Sequence, residues 1–402
     1  MKIIGFTEGA IRSKGGLGLV GVPRILGSTA ARGHSITLVI GGPSYPGSER
    51  FLTRNLDTGL ARPQGGGAFG IIAMRAWGTW ALAPAILWRL RKCVRSADWV
   101  SLHSVYSFPV LAGYLLARLY RKPYGIWPHG VFAPFQRRVS SKIKALYNVL
   151  LANRIVKGAS VVIYSAAGER EEARELGFTT RSVIIPDGMD TSQFESLPPR
   201  GRFRQRFLAG YEGGLVLFLG RLNQKKGLDL LIQSMRLVVD RRPDARLAIV
   251  GPPDPSAFEQ RLWEWIRRSG IESQVVVTGA VSHEVKLEAL ADADIVILPS
   301  HAENFGHSVF EAMASRIPVV VSNTINYAEE IARSGAGLAV PRDPECLADA
   351  MLHLLNNPSA RAEMGANGPQ LARRYSLEDT GRKVERVVES IVHRHPLPAD
   401  LI

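Results

Sequence analysis

Short runs of aliphatic and β-branched residues return along this chain with helical stretches between them, and they return in two separate series. Neighbouring parallel strands need a long crossover between them, so this alternation predicts parallel sheets flanked by helices, an α/β fold. The first series holds Ile3–Phe6, Ser35–Ile40, Trp99–His103, Tyr124–Trp127, Val161–Ser165 and Ser182–Pro186, with a helix expected from Val22 to Arg32 and ended by Gly33 and His34. The Gly/Pro-rich stretch 41–70 reads as a surface loop with short elements in it. The second series holds Leu215–Gly220, a helix from Leu228 to Val239, then Arg246–Gly251, Val275–Gly279, Ile295–Pro299 and Pro318–Val321. Two domains follow, 1–186 and 187–376, joined through a segment containing Pro198-Pro199 and Gly213-Gly214. A last helical segment, Leu377–His393, lies beyond the second pattern, and residues 377–402 are expected to cross back to the first domain.

A chain of 402 residues with 46% hydrophobic and 8% aromatic content is of the ordinary soluble globular kind. Its two cysteines, Cys93 and Cys346, are far apart and suit neither a disulfide framework nor a zinc site, so a reducing, cytoplasmic setting is expected. Met1-Lys2-Ile3-Ile4 starts directly as a strand, without the pattern of a secretory signal.

The net charge of +14 is uneven: residues 1–185 hold 25 Lys and Arg against 8 Asp and Glu, and the remainder is slightly acidic. A basic half predicts an anionic partner, either a phospholipid surface, a lipid pyrophosphate or nucleic acid, against the plainer reading of a solvated basic face. Nucleic acid is disfavoured, because no zinc-finger spacing, RNP-like strand or basic helix backed by heptads occurs. The apolar, Trp-rich segment Ala76–Trp88 is followed by Arg89, Arg91, Lys92 and Arg95 and is too short to span a bilayer. As a helix it would suit either a headgroup boundary or a place covering the sheet.

The chemistry concentrates in Glu303-Asn304-Phe305-Gly306-His307-Ser308-Val309-Phe310-Glu311. Pro299-Ser300 ends a strand and Gly306-His307 opens a helix, whose start offers N–H donors and the positive dipole end to a phosphate. Glu311, about one turn in, can accept hydrogen bonds from ribose hydroxyls, and Glu303 can reach a sugar at the far end of a diphosphate.

The order of motifs around this segment resembles family 4 of the retaining glycosyltransferases, of the GT-B fold. The glycine-rich loop after the first strand is similar to Gly15-Gly16-Leu17-Gly18, and the helix-end phrase to Ala31-Arg32-Gly33-His34-Ser35. The family's central histidine looks like that of Trp127-Pro128-His129-Gly130. Ser165-Ala166-Ala167-Gly168-Glu169, Ile185-Pro186-Asp187-Gly188 and the phosphate phrase Gly220-Arg221-Leu222-Asn223-Gln224-Lys225-Lys226-Gly227 are also similar.

The resemblance implies two Rossmann-like domains facing across a cleft, the second binding a nucleotide-sugar donor and the first the acceptor. Arg221 and Lys226 would clamp the donor diphosphate and stabilise it as it leaves, without metal or other cofactor. Glu303 would contact the transferred sugar, Phe305, Gly306 and His307 the diphosphate through their backbone, and Glu311 the ribose. His129 and the Gly15-Gly16 loop would approach from the first domain to hold sugar and acceptor. Retention is implied without an enzyme nucleophile, so Glu303 and Glu311 are not a hydrolase pair.

Three departures bear on the donor: Asp187 stands where asparagine is more usual, Arg316 where glycine is, and His307 where an aliphatic residue is. A phosphorylase or epimerase on the same scaffold, or a non-catalytic lipid- or nucleotide-binding protein, are the competing classes. The basic stretch after Pro134, including Arg137, Arg138 and Lys144, resembles members that build bacterial surface polysaccharides. It implies a lipid-linked saccharide acceptor at the inner face of a membrane.

Overall fold

The structure is a computed structural model describing residues 1–8, 21–42, 67–78, 80–132, 147, 151–253 and 258–402. The loop containing Gly15 and Gly16, and the stretch with Arg137, Arg138 and Lys144, lie outside the described residues.

The chain divides into two compact units, one holding residues 18–188 and 377–402 with the first strand, the other holding 189–376. The first is built on a sheet of seven described strands: β1 Lys2–Glu8, β2 Ser35–Gly42, β3 Ala68–Arg75, β4 Trp99–His103, β5 Tyr124–Trp127, β6 Val161–Tyr164 and β7 Ser182–Ile184. Their order is β3-β2-β1-β4-β5-β6-β7 and every pairing is parallel. The second sheet holds β8 Leu215–Leu219, β9 Arg246–Val250, β10 Val275–Gly279, β11 Ile295–Leu298, β12 Val319–Ser322 and β13 Gly337–Val340, ordered β10-β9-β8-β11-β12-β13. Both are doubly wound α/β sheets of Rossmann type, whose order reverses between β1 and β4 and between β8 and β11. Central strands such as β4, β8 and β11 are buried along their whole length, as parallel strands covered on both faces must be.

Two strands escape the sequence pattern. β3 begins within the glycine-rich stretch read as loop, and β13 is only Gly337-Leu338-Ala339-Val340; both are edge strands, where partial exposure dilutes the apolar signal. The Trp-rich segment is also different from expectation. Trp77 and Leu82 form an antiparallel bridge, Gly78 and Ala81 take positive φ, and helix is confined to Ile86–Arg89 and Arg91–Ser96. Gly78 and Pro84 punctuate the run and prevent one continuous helix.

The C-terminal helix, Leu377–Val392, belongs to the first unit and packs on the helix Val22–Ala30. A Cβ at Gly381 would stand 2.8 Å from Ser28 Oγ, so the close approach of the two helices needs glycine there. Glu385 fastens the pair, accepting from Arg32 and lying 2.7 Å from His34 Nε2. Val384, Val387 and Val388 complete the core beneath Ile25 and Leu26.

Candidate active site

Ligands of open α/β sheets bind beyond the carboxyl ends of the strands where the order reverses. In the second unit the segments leaving β8 and β11 stand at that point, and they carry both candidate motifs. After β8 the chain runs through Arg221, exposed, to a 3-10 turn Gln224–Lys226 and Gly227. Gly227 has φ 67°, and a Cβ on it would lie 2.2 Å from the Pro299 carbonyl oxygen, so neither the conformation nor the space admits another residue. The same backbone contact continues in the bond from His301 N–H to the Lys225 carbonyl, 2.8 Å. The phosphate phrase and the glutamate loop are thus packed back to back.

That packing brings Lys226 Nζ to 2.5 Å from Glu303 Oε1, which also accepts from Ser300 Oγ at 2.9 Å. Ser300 is held in turn, its carbonyl accepting from Ser322 Oγ and Thr324 Oγ1 at 2.6 and 3.0 Å. Asn326 Nδ2 donates to the Glu303 carbonyl at 2.8 Å. Phe305 is buried and stacks on Phe310, ring centroids 4.2 Å apart, with Tyr327 and Tyr375 edge-on to both. This aromatic floor fixes the loop, while Gly306, φ 82°, starts the helix His307–Ala314. The Phe305 ring is thereby committed to this floor, so any contact of Phe305 with a ligand would have to be made by its backbone.

Glu311 lies on that helix and forms an ion pair with Lys286 Nζ, 2.8 Å. Lys286 comes from the helix His283–Asp292 and lies 5.1 Å from the centroid of the Phe194 ring. Sequence reasoning missed it, because nothing in the spacing between residues 286 and 311 marks a contact made only by helix packing.

The first unit gathers a second cluster at the ends of β4 and β5. His103 and Trp127 are register partners across those strands and stack at 5.8 Å; His129 stacks on His103 at 5.4 Å. His103 Nδ1 is 3.1 Å from His129 Nε2, and His103 Nε2 is 3.0 Å from Ser101 Oγ. His129 has φ 53°, a strained conformation for a non-glycine residue and one that recurs at functional sites. Burial holds the His103 ring well below the usual histidine range, helped by His129; burial also lowers His129, and the Asp187 carboxylate opposes that. His103, which the sequence marks only as the end of a strand, is buried and hydrogen-bonded directly to the candidate histidine.

Beside it, the carboxylate of Glu169 accepts from the backbone N–H groups of Gly130 and Ser165, at 2.5 and 2.8 Å, and so pins the turn that holds His129. Burial pushes Glu169 up to about 7 against those two donors. Ser165 Oγ donates to Asp187 at 3.4 Å. Among the described residues no group of three or more His, Cys, Asp or Glu is placed to hold a metal ion.

The family model described as Glycosyltransferase Family 4 matches residues 24–193, and that described as Glycosyl transferases group 1 matches residues 200–371. The chain belongs to glycosyltransferase family 4. Among family relatives, D-inositol 3-phosphate glycosyltransferase of Corynebacterium urealyticum is 30% identical over 261 residues, 60% of this chain and 61% of the relative. Phosphatidyl-myo-inositol mannosyltransferase of Mycobacterium leprae is 31% identical over 215 residues, 52% of this chain and 54% of that one. The chain thus aligns with less than two thirds of the length of these curated relatives. In fold it is similar over 97% of its length to Anabaena Alr3699/HepE, whose whole chain is covered in a crystal structure in complex with UDP, with TM-score 0.76 and 18% identity. The family assignment and the GT-B type of both sheets agree with the sequence expectation.

Proposed function

We propose that this chain is a retaining hexosyltransferase that moves a sugar from a nucleotide diphosphate to a hydroxyl acceptor. The observation that carries the reading is the back-to-back packing of the Arg221–Gly227 and Ser300–Gly306 segments at the point where the second sheet reverses order, which sets Lys226 against Glu303.

Breaking a glycosyl–phosphate bond moves negative charge onto the departing diphosphate. Lys226 and Arg221 supply fixed cations for it, and the start of the helix His307–Ala314 supplies N–H dipoles aimed the same way. The transfer then needs no metal. Glu303 receives hydroxyls of the transferred sugar, its carboxylate oriented by Ser300; Glu311, oriented by Lys286, receives the ribose hydroxyls. On the first unit, His129 is our candidate for contact with sugar or acceptor. The acceptor's proton goes to the donor phosphate.

The acceptor we propose is a lipid-linked saccharide met at an anionic membrane surface, in surface polysaccharide synthesis. The described part of the first unit supports this with exposed Trp77 and Trp88, 54% and 55% accessible, beside exposed Arg75, Arg89, Arg91, Lys92 and Arg95. No described helix is long and apolar enough to cross a membrane.

Thermal melts of the purified chain with UDP, GDP and ADP, with and without EDTA, test the donor reading, because a ligand of the folded state raises the melting temperature by mass action. One diphosphate should raise it, EDTA should change nothing, and Glu311→Ala should abolish the shift. A chain that responds to none of them is not a nucleotide-sugar transferase.

A further inference from the structure

Ser101 and His103 stand on one strand two positions apart, so both side chains share a face of the first sheet, the face to which Trp127 and His129 also contribute. The close fit there depends on Gly125, since a Cβ at that position would meet the Trp99 ring at 2.4 Å. Ser101 is 2% exposed and His103 fully buried, so bulk solvent does not compete for their hydrogen bonds.

The donors and acceptors along this row can be assigned in sequence. Among the described residues, the Ser101 hydroxyl has one partner, His103 Nε2. A buried O–H without an acceptor costs about 1–3 kcal/mol, so the hydroxyl donates and His103 Nε2 carries no proton. Neutral His103 is then protonated at Nδ1, and that N–H donates across 3.1 Å to His129 Nε2. His129, with Nε2 accepting, is protonated at Nδ1. Each assignment forces the next.

We propose that Ser101 and His103 are positioning residues which fix His129 as its Nδ1–H tautomer, so that His129 offers the sugar or acceptor a hydrogen-bond donor and not a base. The group it recognises is an oxygen lone pair. A proton arriving at Nε2 would face the His103 N–H and break the row, which is why His129 does not serve to deprotonate the acceptor hydroxyl. The consequence for sugar binding rests on the function proposed above; the tautomer is a property of the ligand-free chain and stands or falls without it.

The test is long-range 1H–15N correlation of histidine-labelled full-length chain at neutral pH, with His129 and His103 assigned by loss of their signals in His129→Gln and His103→Asn. Both rings should show a protonated Nδ1 and an unprotonated Nε2. In Ser101→Ala, which leaves a methyl in the same space, both tautomers of His129 should appear, while the melting temperature moves by less than a few degrees. His103→Leu should have the same effect on His129. A wild-type His129 protonated at Nε2, or an unchanged His129 pattern in a folded Ser101→Ala chain, overturns the proposal. If the diphosphate melts fail while the tautomer pattern holds, the proposed transfer falls and the positioning row remains.

Discussion

The Lys226 ammonium lies 2.5 Å from the Glu303 carboxylate, and each side chain is largely buried, 16% and 11% accessible. A diphosphate bound at the phosphate phrase competes with Glu303 for that cation. We expect Lys226→Ala to lower turnover about 100- to 1000-fold, the range for loss of one group that stabilises developing charge. It also strands the Glu303 carboxylate, at a cost of about 1–3 kcal/mol, and adding Glu303→Gln should recover most of the stability but none of the turnover. Steady-state kinetics and urea unfolding of the two variants check both parts; unchanged turnover in Lys226→Ala removes Lys226 from the mechanism.

Lys286 and Glu311 should behave as one unit in nucleotide binding. The ammonium orients the carboxylate, so Lys286→Met and Glu311→Gln each weaken binding of the stabilising diphosphate by about tenfold, and the double variant by little more. Calorimetric titration of the four chains supplies the cycle. Additive losses would mean that Lys286 acts independently of Glu311.

Arg316 has φ 60° and an exposed side chain, immediately before the Ile317-Pro318 entry to β12. Left-handed backbone costs a non-glycine residue roughly 1–2 kcal/mol, partly offset by the greater freedom glycine has in the unfolded chain. Arg316→Gly should therefore stabilise the chain by about 0.5–1 kcal/mol in urea unfolding. A loss of stability would show that the Arg316 side chain contributes more than its backbone costs.

Glu169 makes stability depend on pH in a definite direction. Its carboxyl is pushed up to about 7 in the fold, above the ~4.3 of an unfolded glutamate. Between those values the folded state holds the extra proton, so Glu169's contribution is greatest at the acid end and declines as pH rises through 7. The decline is on the order of 4 kcal/mol at most. Comparing wild type with Glu169→Gln in urea at pH 5 and pH 8 isolates it: the wild-type advantage should shrink at the higher pH. An advantage that grows would mean that the two backbone N–H donors outweigh burial.

Exposed Trp77 and Trp88 with their flanking arginines predict selective flotation with vesicles containing phosphatidylglycerol over pure phosphatidylcholine. Trp77→Ser with Trp88→Ser should reduce that flotation at least severalfold without changing the melt. Equal indifference to both vesicles in the wild type would leave the basic face to solvent.

Much of this was legible before any fold was known. Runs such as Val216–Leu219 and Ile295–Leu298 are apolar on both faces, which commits them to the centre of a parallel sheet, and turn residues such as Gly227 and Gly306 mark where the chain must leave it. The order of Gly220–Gly227, Glu303 and Glu311 carried the family resemblance. Edge strands β3 and β13 were hidden because half-exposed strands lack that continuous apolar signal, and the Ala76–Trp88 run was misleading because hydrophobicity without period cannot distinguish a helix from a bridged turn.

The sequence by itself determined the strands at the centre of both sheets, where the Gly220–Gly227 phrase sits and that two glutamates follow it. Only the tertiary structure decided what those groups touch: Lys226 on Glu303, Lys286 on Glu311, and the row from Ser101 through His103 to His129. The physical reason is separation along the chain. Local pattern fixes backbone geometry over a few residues, whereas partners 77 or 25 positions apart meet because the second sheet and its covering helices pack to exclude water. Ser101 and His103 are only two apart in a strand, yet their joint role required a third group, His129, delivered from the neighbouring strand by the register of β4 on β5.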